Sequence, residues 1–331
     1  MSMLHAEKLS GAEPSEALPA EMAAPTPAAA VPVSGGSCVA LECSGLSLRF
    51  GKIRALDGLD LAIAPGECVG VVGRNGAGKS TLFRVIIGAE TADAGRVETD
   101  PRMDRLEFLA RTGFVPDSLS VYEWMTVGSA IEFVASLQPR FDRAWSDELV
   151  ALLALDRAAK IRDLSRGTQA RLAFVLGLSH RPDLVLLDEP LLGVDAVTHD
   201  AVLELLARMR SVQGCTMLIA SHQLGDLARL ADRVVFLDRG KVVEQCETDE
   251  LVTGTHRLIV HGVAGDFSAP PSDSIILARR QDSACVLTVR GDPAPIRGAI
   301  ETANPAARVE QVALSIHEAC ADRLRALEAK P

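Results

Sequence analysis

The seven cysteines of this 331-residue chain are odd in number and include no Cys-x-x-Cys pair. That absence argues against a metal knuckle or an oxidised framework and leaves buried, reduced thiols as the expected state. No run of about 18 apolar residues occurs, so no segment is expected to span a bilayer. Positive charge is also short: 34 Lys and Arg against 44 Asp and Glu give a formal net charge of -10. Such a balance argues against a dedicated binder of nucleic acid or anionic membranes. Aromatic residues make up 4% of the chain although 48% of it is hydrophobic. That apolar content excludes wholesale disorder, and the composition is not collagen-like. The start of the chain has no basic segment followed by an apolar stretch, and so does not read as a secretory signal.

What is present divides by composition into three regions. Residues 1–38 are rich in Ala, Pro, Ser and Glu and read as a disordered extension that cannot offset its own ordering entropy. Residues 39–250 alternate short β-rich runs with helical patterns, the signature of an α/β domain. Strands are expected at Val39–Glu42, Leu46–Phe50, Leu59–Ile63, Glu67–Val72, Leu184–Leu187 and Thr216–Ala220. The continuous apolar runs suit a parallel sheet covered on both faces. Residues of about 121–179 carry helical periodicity instead and read as a helical subdomain. Residues 251–331, broken at Ala269–Pro271 and Pro293–Pro295, are expected to form a small α+β C-terminal appendage with a βαβ-like order.

The most informative stretch is Gly73-Arg74-Asn75-Gly76-Ala77-Gly78-Lys79-Ser80-Thr81, which follows an apolar strand and precedes the helical run Leu82–Gly88. Glycines at this spacing let backbone N–H groups wrap a phosphate, and the following helix N-terminus adds partial positive charge. Lys79 is expected to reach the β- and γ-phosphate oxygens and Ser80 to join a Mg²⁺ shell. Downstream, the apolar strand Leu184–Leu187 ends in adjacent carboxylates. Asp188 is expected to hold Mg²⁺, and Glu189 to polarise an attacking water.

Between these motifs lies Leu164-Ser165-Arg166-Gly167-Thr168, which resembles the signature sequence of ABC-transporter ATPases. Leu192–Asp195 is similar to that family's D-loop, Ser221-His222 to its switch histidine, and Phe50–Leu56 to its adenine-stacking loop. The resemblance implies a P-loop NTPase fold, an ABC ATPase core with ATP and Mg²⁺ as ligands. It also implies that Phe50 stacks on adenine and that His222 contacts the γ-phosphate. Ser165, Gly167 and Asp195 then face the ATP of a second subunit, in a homodimer or heterodimer. Two positions depart from the family: Arg166 stands where Gly is commonest, and Asp117 where Gln is usual. Asp117 is carried over as an oxygen ligand of Mg²⁺.

Residues 117–133 and 140–145 resemble bacterial exporter-type subunits of the drug- and peptide-export branch, whose membrane half is usually a separate permease. Seven of the twelve aromatics fall between Phe108 and Trp145, an enrichment suited to receiving a partner. The chain is therefore expected to be the ATP-hydrolysing subunit of an exporter. It would be cytoplasmic, peripheral at the inner face of the cell membrane through the permease, and without nucleic acid. An importer ATPase, or an ATP-gated regulatory protein with little hydrolysis, is the competing expectation.

Overall fold

The computed structural model describes residues 41–221, 230–263, 267 and 269–328. The described residues begin with β1 (Leu41–Phe50), β2 (Ile53–Ile63) and β3 (Cys68–Val72), then the glycine-rich turn and α1 (Lys79–Ile86). Next come β4 (Ala94–Thr99), α2 (Arg105–Ala110) and β5 (Thr112–Val115). A helical stretch follows: α3 (Val127–Leu137), α4 (Arg143–Leu152) and α5 (Arg166–Leu178). After it run β6 (Leu184–Asp188), α6 (Ala196–Gln213), β7 (Thr216–Ser221), β8 (Arg233–Asp238) and β9 (Lys241–Glu247).

The central sheet has the order β5-β6-β7-β3-β8-β9, parallel throughout except where β9 returns beside β8. Its inner strands show why continuous apolar runs were required. Side chains alternate across a strand, and here both faces are covered. Cys68, Val185, Leu187, Met217 and Ile219 pack on one face with residues of α3 to α6. Val69, Val71, Leu184, Leu186, Leu218 and Ala220 pack on the other face with α1 and a small antiparallel sheet. That small sheet has the order β2-β1-β4. The two strands expected at 39–42 and 46–50 are one strand over the described residues. Register shifts after Cys43 and at Leu46 let β1 run on through Ser44 and Gly45, as a bulge absorbs unpaired residues without ending a ladder.

The C-terminal stretch adds α7 (Thr248–Thr253), β10 (Thr255–His261), β11 (Ile275–Gln281), β12 (Ala284–Arg290), α8 (Ala294–Ala303), β13 (Arg308–Ala313) and α9 (Ile316–Glu328). The expected βαβ-like order is present in split form: β12 and β13, joined through α8, run in the same direction, with β10 inserted between them and antiparallel to both. The sheet runs β11-β12-β10-β13 and every pairing in it is antiparallel. The apolar spacing of a short strand is the same whichever strand lies beside it, so it could not place β10 between β12 and β13. Leu258, Leu287, Val289, Ile296 and Ile300 form the core of this layer. Cys320 and Ala319 of α9 pack instead with Val234, Phe236 and Cys246 of β8 and β9, tying the appended layer to the central sheet.

Candidate functional site

The phosphate-loop residues sit at the C-terminal end of β3, where ligands of open α/β sheets bind. Gly76 (φ 83°) and Gly78 (φ 111°) occupy left-handed backbone conformations. A Cβ at Gly73 would collide with the Leu237 carbonyl oxygen, and one at Gly78 would lie 2.5 Å from the Ala55 carbonyl oxygen. The loop is also held from the side. Arg239 and Gly240 both have positive φ in the β8–β9 turn, the backbone geometry of a tight hairpin. Gly240 N donates to Ala77 O at 2.8 Å, and Asp57 N donates to Gly240 O at 3.0 Å. This brace was not foreseen, because residues as far apart in sequence as Ala77 and Gly240 leave no local sign of their meeting.

Lys79 is 6% exposed. Its Nζ donates to Gly73 O at 2.7 Å and Arg74 O at 3.3 Å, and it lies 3.6 Å from Glu189 Oε1. Asp188, the last residue of β6, is 2% exposed, and its Oδ1 has no hydrogen-bond partner. Burial pushes its carboxyl above the usual range, aided by the nearby Asp117 and Glu189 charges, while a hydrogen bond from Ser80 and the Lys79 charge oppose the shift. Glu189 takes a left-handed φ of 48°, and its N–H donates to Ala220 O at 2.9 Å. A non-glycine residue in that region costs on the order of 1 kcal/mol or more, a strain found often at working sites.

These groups converge on a cavity of about 330 Å³. Arg74, Asn75, Gly76, Gly78, Lys79, Ser80, Thr81, Asp117, Asp188 and Glu189 line it, with Gly73 and Ala77 lying in the same loop. Ile53 and Ala55 also line it; both belong to the Phe50–Leu56 stretch, in which only Phe50 was given a role. Phe50 pairs with Ile53 across the β1–β2 turn and is not among the lining residues. Ser165, Gly167 and Asp195 do not line the cavity either. Ser165 caps α5 by accepting from Thr168 N at 3.2 Å. Asp195 caps α6 by accepting from Thr198 N at 3.0 Å and from its hydroxyl at 2.8 Å, bonds that hold its carboxyl below the ordinary range. Gly167 lies so close to the Gly193 carbonyl oxygen that a Cβ would be 2.6 Å from it. His222 lies outside the described residues.

A divalent cation fits the donor set. No group of three or more His, Cys, Asp or Glu side chains among the described residues could hold a metal by itself. An orphaned, buried carboxylate oxygen beside a serine hydroxyl is what Mg²⁺ uses, since it keeps waters and completes its shell with substrate phosphates.

A second cavity of about 450 Å³ shares Asp117 and Asp188 with the first and runs between α3 and α5. His180 lines it, 4% exposed, with Nε2 3.2 Å from Thr112 O. Burial pushes its pKa down to about 4. The aromatics of this region divide by environment. Trp145 and Phe108 are core residues, and Trp145 Nε1 donates to Leu178 O at 3.0 Å. Tyr122 and Trp124 stack on each other with centroids 5.7 Å apart, and Trp124 is 70% exposed.

A glycine-rich loop between a buried parallel strand and a helix, facing a carboxylate pair at the end of a strand two places away in the same sheet, defines a phosphate-loop nucleotide triphosphatase. Comparison with known proteins narrows this class. Residues 56–192 match the family model described as ABC transporter. The chain is 36% identical over 222 residues to the aliphatic sulfonates import ATP-binding protein SsuB 2 of Xanthomonas axonopodis pv. citri, covering 66% of this chain and 75% of that one. It is 31% identical over 257 residues to the methionine import ATP-binding protein MetN of Rhizobium johnstonii, covering 70% of each. The fold is similar to the dimeric post-hydrolysis state of the ATP-binding cassette MJ0796 bound to ADP and Pi. The TM-score is 0.57 at 23% identity, over 63% of this chain and 98% of that one. The chain belongs to the ATP-binding subunits of ABC transporters, and its enzymatic class is ATPase. No helix among the described residues is long and apolar enough to cross a membrane.

Proposed function

We propose that the chain binds Mg²⁺-ATP in the 330 Å³ cavity and closes with a second ATPase subunit, a copy of itself or a related chain, around two nucleotides. Closure then drives a separate membrane permease, which holds the subunit at the inner face of the cell membrane. The observation that carries this reading is the pair of buried Asp188 and partly exposed Glu189 beside Lys79, opposite the phosphate loop. The incoming phosphates take over the Lys79 ammonium, which releases Glu189 to polarise a water on the γ-phosphorus. Asp188 and Ser80, with Asp117 nearby, hold Mg²⁺, which supplies charge stabilisation to the phosphoryl oxygens. Phe50 stacks on adenine beside Ile53, and His222 orients the water.

Ser165, Gly167 and Asp195 act on the nucleotide of the opposite subunit. Their absence from the cavity of their own chain supports a site completed by a partner. The groove beside Asp117 supports docking of a permease segment, because Asp117 and Asp188 are shared by the two cavities.

The sulfonate and methionine import subunits among the relatives support import at least as strongly as residues 117–133 support export. Transport measured in vesicles carrying the permease and this subunit separates the two. For the ATPase step the test is Glu189→Gln. The variant should keep ATP affinity and elute as an ATP-trapped dimer, with turnover reduced by about 10²-fold or more. Hydrolysis at the parent rate would remove Glu189 from the mechanism.

A further inference from the structure

Away from the nucleotide, a cavity of about 100 Å³ lies where β9 meets the appended layer. Three elements bring charge to it. Glu244 of β9 accepts from Arg290 Nη2 at the end of β12 (2.5 Å) and from Arg323 Nη1 of α9. Arg323 is only 3% exposed. Its Nη2 donates to Thr255 Oγ1 at 3.2 Å, while its Nε has no hydrogen-bond partner. Two guanidiniums thus share one carboxylate. Asp273, which also lines the cavity, is exposed, so water screens its charge.

One carboxylate between two guanidiniums leaves positive charge only partly offset, and a second acceptor at the cavity would complete the pairing. The planar fork of Arg suits a carboxylate in particular. Ile276 and Leu327 supply an apolar wall, which inorganic anions cannot use. The size is also restrictive. One water needs roughly 10–15 Å³ on this scale, so the cavity has room for a short carbon chain and its head group, and none for a nucleotide.

We propose that this cavity binds a small aliphatic carboxylate, with its head group on the Arg290 and Arg323 guanidiniums and its chain against Ile276 and Leu327. The site lies outside the ATPase machinery and does not depend on it.

The test is ligand-observed saturation-transfer NMR on the full chain, with Mg²⁺-ADP filling the nucleotide site. Butyrate, butyramide and inorganic phosphate are the probes. Butyrate should give a saturable signal, and butyramide, with the same shape but no charge, should give none. Phosphate should compete weakly. Arg290→Gln removes the half-exposed cation and leaves buried Arg323 in place, so the fold and the ATPase rate should persist. Butyrate affinity in that variant should fall about tenfold, the scale of one charge-assisted bond. Equal signals from butyrate and butyramide would overturn the proposal, as would phosphate binding as tightly as butyrate. Affinity unchanged in Arg290→Gln, with ATPase rate retained, would overturn it too.

Discussion

Gly78 carries two independent demands. Its φ of 111° lies where side chains are strained, and a Cβ would meet the Ala55 carbonyl oxygen at 2.5 Å. The Ala55 carbonyl is backbone and cannot swing aside as a side-chain tip could. Gly78→Ala should therefore lower stability by about 1–3 kcal/mol, visible as a fall in melting temperature. Nucleotide affinity should drop as well, because the amides of the loop move with it. Titration with a fluorescent ATP analogue checks the second effect. Gly76 offers a contrast: its φ is 83°, but nothing lies within 4 Å of the added Cβ. Replacement there brings the backbone strain without the collision, and so isolates the two contributions.

At the scale of elements, α9 begins with a reciprocal cap. Ser315 Oγ accepts from Glu318 N at 3.3 Å, and Ser315 N donates back to Glu318 Oε2 at 3.1 Å. Arg257 Nη1 adds a bond to Glu318 Oε1 at 2.7 Å. The Ser315 bonds, then Arg257, bring the Glu318 carboxyl from 4.5 down to about 2. A depressed acid binds its proton more weakly in the folded state than in the unfolded chain. Its contribution is thus complete above 4.5 and is lost as pH falls toward about 2. Glu318→Gln should be less stable at neutral pH and should lose less on acidification, as melting curves across that window would report.

The same scale explains what could be read in advance. The phosphate loop, the Asp188–Glu189 pair and the helical stretch were legible because each depends on residues adjacent in sequence. The Gly240 brace and the placement of β10 between β12 and β13 were not. Each is settled by which distant strand lies alongside, and local patterning does not carry that information. Phe50 shows the limit within a single turn, since its neighbour Ile53 reaches the cavity and it does not.

For the molecule and its assembly, the Tyr122–Trp124 stack presents two exposed aromatic rings side by side. A surface aromatic pair contributes little to folding, and its loss should change stability by about 0.5 kcal/mol or less. If the permease docks here, Trp124→Ala should weaken complex formation in pull-downs while leaving the ATPase rate of the isolated subunit unchanged. Unaltered co-purification would move the docking surface elsewhere. Trp145 makes a suitable control. It is buried and hydrogen-bonded to Leu178, so its truncation should cost about 3–5 kcal/mol and destabilise the subunit whether or not a permease is present.

The alternation along β6 has one more result. Leu184 and Leu186 face one layer, Val185 and Leu187 the other, and Asp188 ends the strand at the cavity. A slip of one residue would exchange the two faces and carry the carboxylate off the phosphate loop at the same time. Correct assembly and chemical competence are thus a single condition in this strand. A misassembled copy is inert, and it consumes no ATP.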